Sequence, residues 1–231
     1  MTRRFLAGAA LAGLALAWPG SALAAETHVN GRNQAVHCVN GTAQKDGRVL
    51  LGCRLAGNHT LANGRNQAVH CLDDMPVRFD PGGTLLYCTL NGNHTLANGR
   101  NQAVHCENRR VASFFPAGTV WGCYLNGNHT LANGRNQAVH CANDTQIVFF
   151  GNGTISSCVL NGNHTLANGR NQAVHCSNVQ RVTFFAEGTV RSCVLNGNHT
   201  LVRAGNMAQA CRGGQPANFD AAGLVVSCAR L

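Results

Sequence analysis

Acidic residues are scarce. The 231-residue chain carries nine Asp and Glu against eighteen Lys and Arg, and Lys45 is its only lysine. So few carboxylates exclude a string of calcium sites, which need several oxygen ligands each. They also leave histidine without the oriented carboxylate that hydrolytic triads use. No phosphate-binding glycine loop, Cys-x-x-Cys pair or haem-attachment motif occurs. Beyond residue 24 no apolar run approaches the roughly 20 residues of a membrane-spanning helix. Helical periodicity is absent there too. The positive charge is dispersed arginine, without the dense basic run of a nucleic-acid arm. These absences predict a non-enzymatic protein with no bound cofactor, no specific nucleic-acid partner and no membrane span.

What is present begins with an export signal. Arg3 and Arg4 precede an apolar stretch from Phe5 to Trp18, then Pro19-Gly20 and the small-residue site Ala22-Leu23-Ala24. This reads as a cleaved helical signal peptide over residues 1–24. Export to a periplasmic or extracellular space follows. Without Arg3 and Arg4 sixteen basic and nine acidic residues remain, a net charge of +7.

The remainder, residues 25–231, reads as a single repeat domain. GNHTLANGRNQAVHC recurs unchanged at 57–71, 92–106, 127–141 and 162–176, a period of 35 residues. NGRNQAVHC at 30–38 keeps the second half, GNHTL at 197–201 keeps the first, and the terminal units are atypical, as a stacked array requires. Between the constant cassettes lie variable segments such as ENRRVASFFPAGTVWGCYL, which read as strand, glycine turn, strand. The cassette reads the same way, with tight turns expected at Asn91-Gly92 and Asn98-Gly99. Its halves align, Leu96-Ala97-Asn98-Gly99 with Phe79-Asp80-Pro81-Gly82 and Val104-His105-Cys106 with Leu86-Tyr87-Cys88. The fold class is all-β, a tandem array of short hairpins forming an extended antiparallel meander, with a β-solenoid as the alternative. The segments Phe115-Pro116-Ala117-Gly118-Thr119 and Phe150-Gly151-Asn152-Gly153-Thr154 resemble bacterial exported hairpin repeats of the MORN type and antitoxin-like repeats. The resemblance implies a repeat scaffold. The Tyr-x-Gly and Trp positions typical of MORN repeats are missing, so lipid binding is not implied.

Twelve cysteines are spaced 15 residues apart once and then alternately 18 and 17. An even count in an exported chain predicts disulfides. Pairing in succession uses all twelve: Cys38–Cys53, Cys71–Cys88, Cys106–Cys123, Cys141–Cys158, Cys176–Cys193 and Cys211–Cys228. The shifted register strands Cys38 and Cys228. Each loop would contribute roughly 3 kcal/mol in the chain-entropy model. A flat meander would hold such cysteines about 9.6 Å apart, too far for a bond, whereas stacked coils would hold them at about 4.8 Å.

Two sets of recurring side chains are candidates for binding. Arg65, Arg100, Arg135 and Arg170, with Arg32 before them, form a ladder suited to an anionic surface polymer such as a polysaccharide. His59, His70, His94, His105, His129, His140, His164 and His175 are candidate zinc or copper ligands, the basis of a metal-sequestering alternative. The leading expectation is an exported repeat scaffold that binds a surface polymer or another protein. The cassette is invariant while the intervening segments differ, which predicts either a repeated binding face or a varied face on a constant frame.

Overall fold

The alternation of buried and exposed side chains governs every strand. In the cassette, Leu61, Val69 and Cys71 are buried while Thr60, Ala68 and His70 are exposed. In the next segment Val77 and Phe79 are buried between the exposed Pro76 and Arg78. One apolar face per hairpin therefore demands a partner surface.

A computed structural model describes residues 24–178 and 180–231, and the expected signal segment lies, up to residue 23, outside the described residues. The structure is all-β, with two layers. Each cassette forms its own two-stranded antiparallel hairpin, His59–Ala62 with Ala68–Cys71 and its equivalents. The variable segments form hairpins too, as in Pro76–Phe79 with Leu85–Thr89. These join edge to edge, for example Leu85–Thr89 against Val111–Phe114. The result is one sheet of 14 strands, while five cassette-type hairpins remain separate. The chain thus alternates layers, and the meander is built by every second hairpin. Among the described residues no helix is long and apolar enough to cross a membrane.

The core lies between the layers as one continuous cluster that runs from Val36 to Val225. Two closures seal it. At one edge the six cystines form in the expected succession, with Cα–Cα distances of 5.7–5.9 Å. The paired cysteines sit in facing layers, so the 9.6 Å separation of a flat meander never arises. Backbone bonds seal the same edge: Leu72 N–H donates to Thr89 O at 2.8 Å and Asn91 N–H to His70 O at 2.8 Å. Six intact cystines belong to a chain that folds in an oxidising environment.

At the other edge the turns of the two layers meet. Asn98 Nδ2 donates to Gly153 O at 3.1 Å, and the pattern repeats at Asn30, Asn133 and Asn168. A Cβ on Gly99 would lie 2.6 Å from Gly153 N, so glycine is required there by the approach of two backbones.

Three expectations are corrected. The tight turn expected at Asn98-Gly99 extends further, and its positive φ falls on Asn101, at 59°. Asn98 instead opens a longer loop, its side chain accepting from Arg100 N and Gln102 N. The alignment of the two half-units is off by one in its first part. Asp80 N–H pairs with Thr84 O as Asn98 N–H pairs with Gln102 O, so Asp80 matches Asn98, not Ala97. The variable hairpin absorbs the difference in a bulge, because Arg78 pairs with Tyr87 and Phe79 with Leu85. Finally, the first cassette hairpin is complete, since Ala25–Val29 supplies the first strand although its sequence departs from GNHTLA.

The ends of the array differ from its middle. The first sheet strand, Gln44–Asp46, is exposed throughout and carries Lys45 and Asp46, charges that discourage edge pairing. At the far end the last cassette hairpin, His199–Arg203 with Met207–Cys211, joins the large sheet through Arg203 and Val225.

Candidate functional site

Neighbouring cassette hairpins share no strand ladder. Side chains bridge them instead. Gln137 Nε2 donates to Thr165 O at 3.0 Å and its Oε1 accepts from Ala167 N at 3.3 Å, a side-chain imitation of a ladder pair. Gln67 and Gln172 reach Thr95 O and Thr200 O in the same way. Arg100 donates to Asn133 O at 3.0 Å and to Asn136 Oδ1 at 2.6 Å in the next turn. Arg32 does the same to Asn63 and Asn66, and Arg135 bonds Asn171.

The histidines complete this seam. Ten of the eleven form five ring pairs: His37–His59, His70–His94, His105–His129, His140–His164 and His175–His199. Centroids lie 4.7–5.1 Å apart. The pairs cross from one cassette to the next and never join the two histidines of one cassette. The first ring of each pair also bonds a threonine of its own hairpin, as His105 Nδ1 does Thr95 Oγ1 at 2.9 Å. The second ring is half-buried: His94 Nε2 accepts from His70 N at 3.3 Å and His59 Nε2 from His37 N at 3.2 Å. Burial lowers the pKa of His59, His94, His129, His164 and His199, and the charge of the paired ring lowers it further. His37 and His199 lay in the incomplete terminal cassettes, where only the pairing across repeats reveals their part.

This geometry is poor for a metal. In two pairs the second ring's Nε2 is committed to a backbone N–H. In the other three the ring planes are inclined by 21–30°, so their in-plane lone pairs run side by side instead of converging on one ion. Among the described residues no group of three or more His, Cys, Asp or Glu is placed to hold an ion. The cysteines are all in disulfides.

The seam accounts for the constancy of the cassette. Its histidines, glutamines and turn arginines hold adjacent hairpins together, a role that recurs with each repeat. The large sheet obeys the opposite rule. Its inward positions stay apolar: Val77, Ala112, Ile147, Val182 and Ala217, or Phe79, Phe114, Phe149, Phe184 and Phe219. Most of its outward positions change between repeats, although one row holds Ser157, Ser192 and Ser227. Arg78 becomes Ser113, Val148, Thr183 and Asn218. The bulge residue is Leu86, Trp121, Ser156, Arg191 and then Val226. Trp121 is 44% exposed and Val226 69%. Arg191 lies over the Phe185 ring at 5.8 Å and Arg110 over Tyr124 at 4.8 Å. From Pro76 onward the outward rows carry Arg78, Arg181 and Arg191 and no carboxylate, and Asp46 lies on the edge strand Gln44–Asp46. The acids lie at the rim, where Asp74 pairs with Arg54 and Asp144 with Arg110.

No protein-family model matches the chain, and no curated protein matches it in sequence.

Proposed function

We propose that this protein is a non-catalytic exported binding scaffold whose recognition surface is the outward face of the 14-stranded sheet. One observation carries the reading: among repeats that share a core, cassette turns and cystines, substitution falls on the solvent-facing positions of the large sheet and on the turns and rim segments that border it. Folding constrains these positions least, and backbone pairing already holds them together. A constant frame with exposed Trp and Arg and half-buried Tyr of differing identity suits a partner whose own surface is irregular, namely another protein. The partner's complementary patch would be acidic, because from Pro76 onward the outward rows hold arginine without carboxylate. Nothing about the histidine pairs favours the metal-sequestering alternative over this reading.

The test is site-specific photo-crosslinking in the cells that export the chain. A photoreactive residue at Trp121 or Arg191 should give a discrete adduct. The same residue at Ala103, outward on the cassette layer, should not. Identical adducts from both layers, or none from either sheet position, would sink the proposal.

A further inference from the structure

The edge where the turns meet has its own chemistry, distinct from the varied sheet face. Each cassette turn places one arginine there, Arg32, Arg65, Arg100, Arg135 and Arg170. Three of them reach the next turn and donate to neutral oxygens of asparagine. None of the five makes an ion pair among the described residues. Most of the five N–H donors on each guanidinium therefore remain for a ligand. The facing turns supply Asp80, Glu187 and Asp220, which temper the positive charge beside Arg32, Arg135 and Arg170, and two of these acids also bond their own turn backbones, at Thr84 N and Leu224 N. Arg65 and Arg100 face turns with no acid at all, Pro116–Gly118 and Gly151–Gly153.

We infer that this arginine edge binds a linear polyanion of repeating carboxylate or sulfate sugars. The argument is one of matching symmetry. The cassettes ride on a sheet with two strands per repeat, so the guanidinium groups recur about every 9.6 Å. Identical groups at one spacing suit a ligand whose own charges repeat, as those of an acidic polysaccharide do. The bonds to asparagine hold three of the five side chains in place before a ligand arrives, which lowers the entropy cost of binding. Asn66, Asn101, Asn136 and Asn171 expose amides beside the arginines for sugar hydroxyls. The cassette turn Asn-Gly-Arg-Asn-Gln has no aromatic ring on which a nucleic-acid base would stack, so a polysaccharide is favoured over a single-stranded nucleic acid.

Full-length oxidised protein should be titrated with dextran sulfate, polygalacturonate, neutral dextran and oligothymidylate. Both acidic polysaccharides should bind and neutral dextran should not. Affinity should rise with polymer length until the ligand spans the array, because each further site binds intramolecularly. Arg65→Gln with Arg100→Gln should weaken binding about tenfold, as loss of two exposed charge contacts implies. Arg65→Lys with Arg100→Lys should fall between, since lysine keeps the charge and loses the fork. Arg78→Gln with Arg191→Gln, on the sheet face, should leave affinity within about twofold. Melting curves establish that each variant is folded. An equal loss from both Gln pairs would reduce the effect to net charge and overturn the site. Tighter binding of oligothymidylate than of either polysaccharide would overturn the ligand class. Either result leaves the crosslinking test of the sheet face untouched.

Discussion

Asn98 shows how much one side chain carries in this fold. It is fully buried. Its Oδ1 accepts from Arg100 N at 3.0 Å and Gln102 N at 2.9 Å, and its Nδ2 donates to Gly153 O at 3.1 Å. The first two bonds shape the cassette turn, and the third ties it to the other layer. Asp80 and Asp220 open the variable turns with the accepting half of this role alone. Aspartate has no donor, so the position that must also donate across layers is asparagine. Asn98→Ala would leave buried backbone groups without partners. The expected cost is about 2–4 kcal/mol, read as a lower denaturation midpoint with an unchanged slope. A loss under about 0.5 kcal/mol would mean that water replaces the side chain.

At the scale of the hairpin, two kinds of contact join like elements. The sheet hairpins pair by backbone, and the cassette hairpins by histidine, glutamine and arginine. Backbone pairing was legible in the sequence, because alternation and glycine turns announce strands. The successive cystines were legible by counting. The seam was not: His70 meets His94, and Gln137 meets Thr165, only when separate hairpins lie side by side, and no local pattern encodes that meeting. The same gap hid the role of the arginines toward Asn63, Asn133 and Asn171. It also hid the direction of variation, since inward and outward sheet positions are told apart with certainty only once the bulges are placed. The seam has a consequence in pH. Burial and the paired ring hold His59, His94, His129, His164 and His199 below the ordinary histidine value of 6.5. The unfolded chain therefore binds more protons once the pH falls below about 6.5, and folding stability declines through that window. Above it these groups contribute no pH dependence. For His59, Asp73 and the Ala56 and His37 backbone act in the opposite sense, more weakly than burial. Urea unfolding at pH 7.5 and pH 5 should show lower stability at pH 5. Replacing His94, His129 and His164 by Gln should flatten that difference. A wild-type protein equally stable at both values would rule the seam out as its source.

The whole molecule is a one-dimensional array with distinct ends, and that sets what can be removed. Each internal unit touches its neighbours through the sheet ladder, the seam and the turn contacts between Asn98 and Gly153 or Asn133 and Gly188. Stability in such an array is close to a sum of unit and interface terms. Deleting Gly92–Asn126 removes one period, one cassette hairpin, one sheet hairpin and the Cys106–Cys123 pair together. The new junction joins Asn91 to Gly127, and both flanks keep the Leu-Asn-Gly-Asn-His sequence of an intact repeat. Every bridging side chain then finds an identical partner one unit further on. The shortened chain should fold with no free thiol and five cystines, and its melting temperature should fall only modestly. Deleting 207–231 is the contrasting case. It removes Met207–Cys211, which closes the end of the large sheet, and Pro216–Asn218, which pairs with Ser192–Val194, and it leaves the core open where Val190, Cys193 and Leu201 are now buried. That variant should aggregate or expose apolar surface to a dye that the internal deletion does not bind. Thiol titration and dye binding on the two variants decide the matter. If the internal deletion also fails to fold, the units are not interchangeable, and the identical cassettes would owe their constancy to something other than the seam they form.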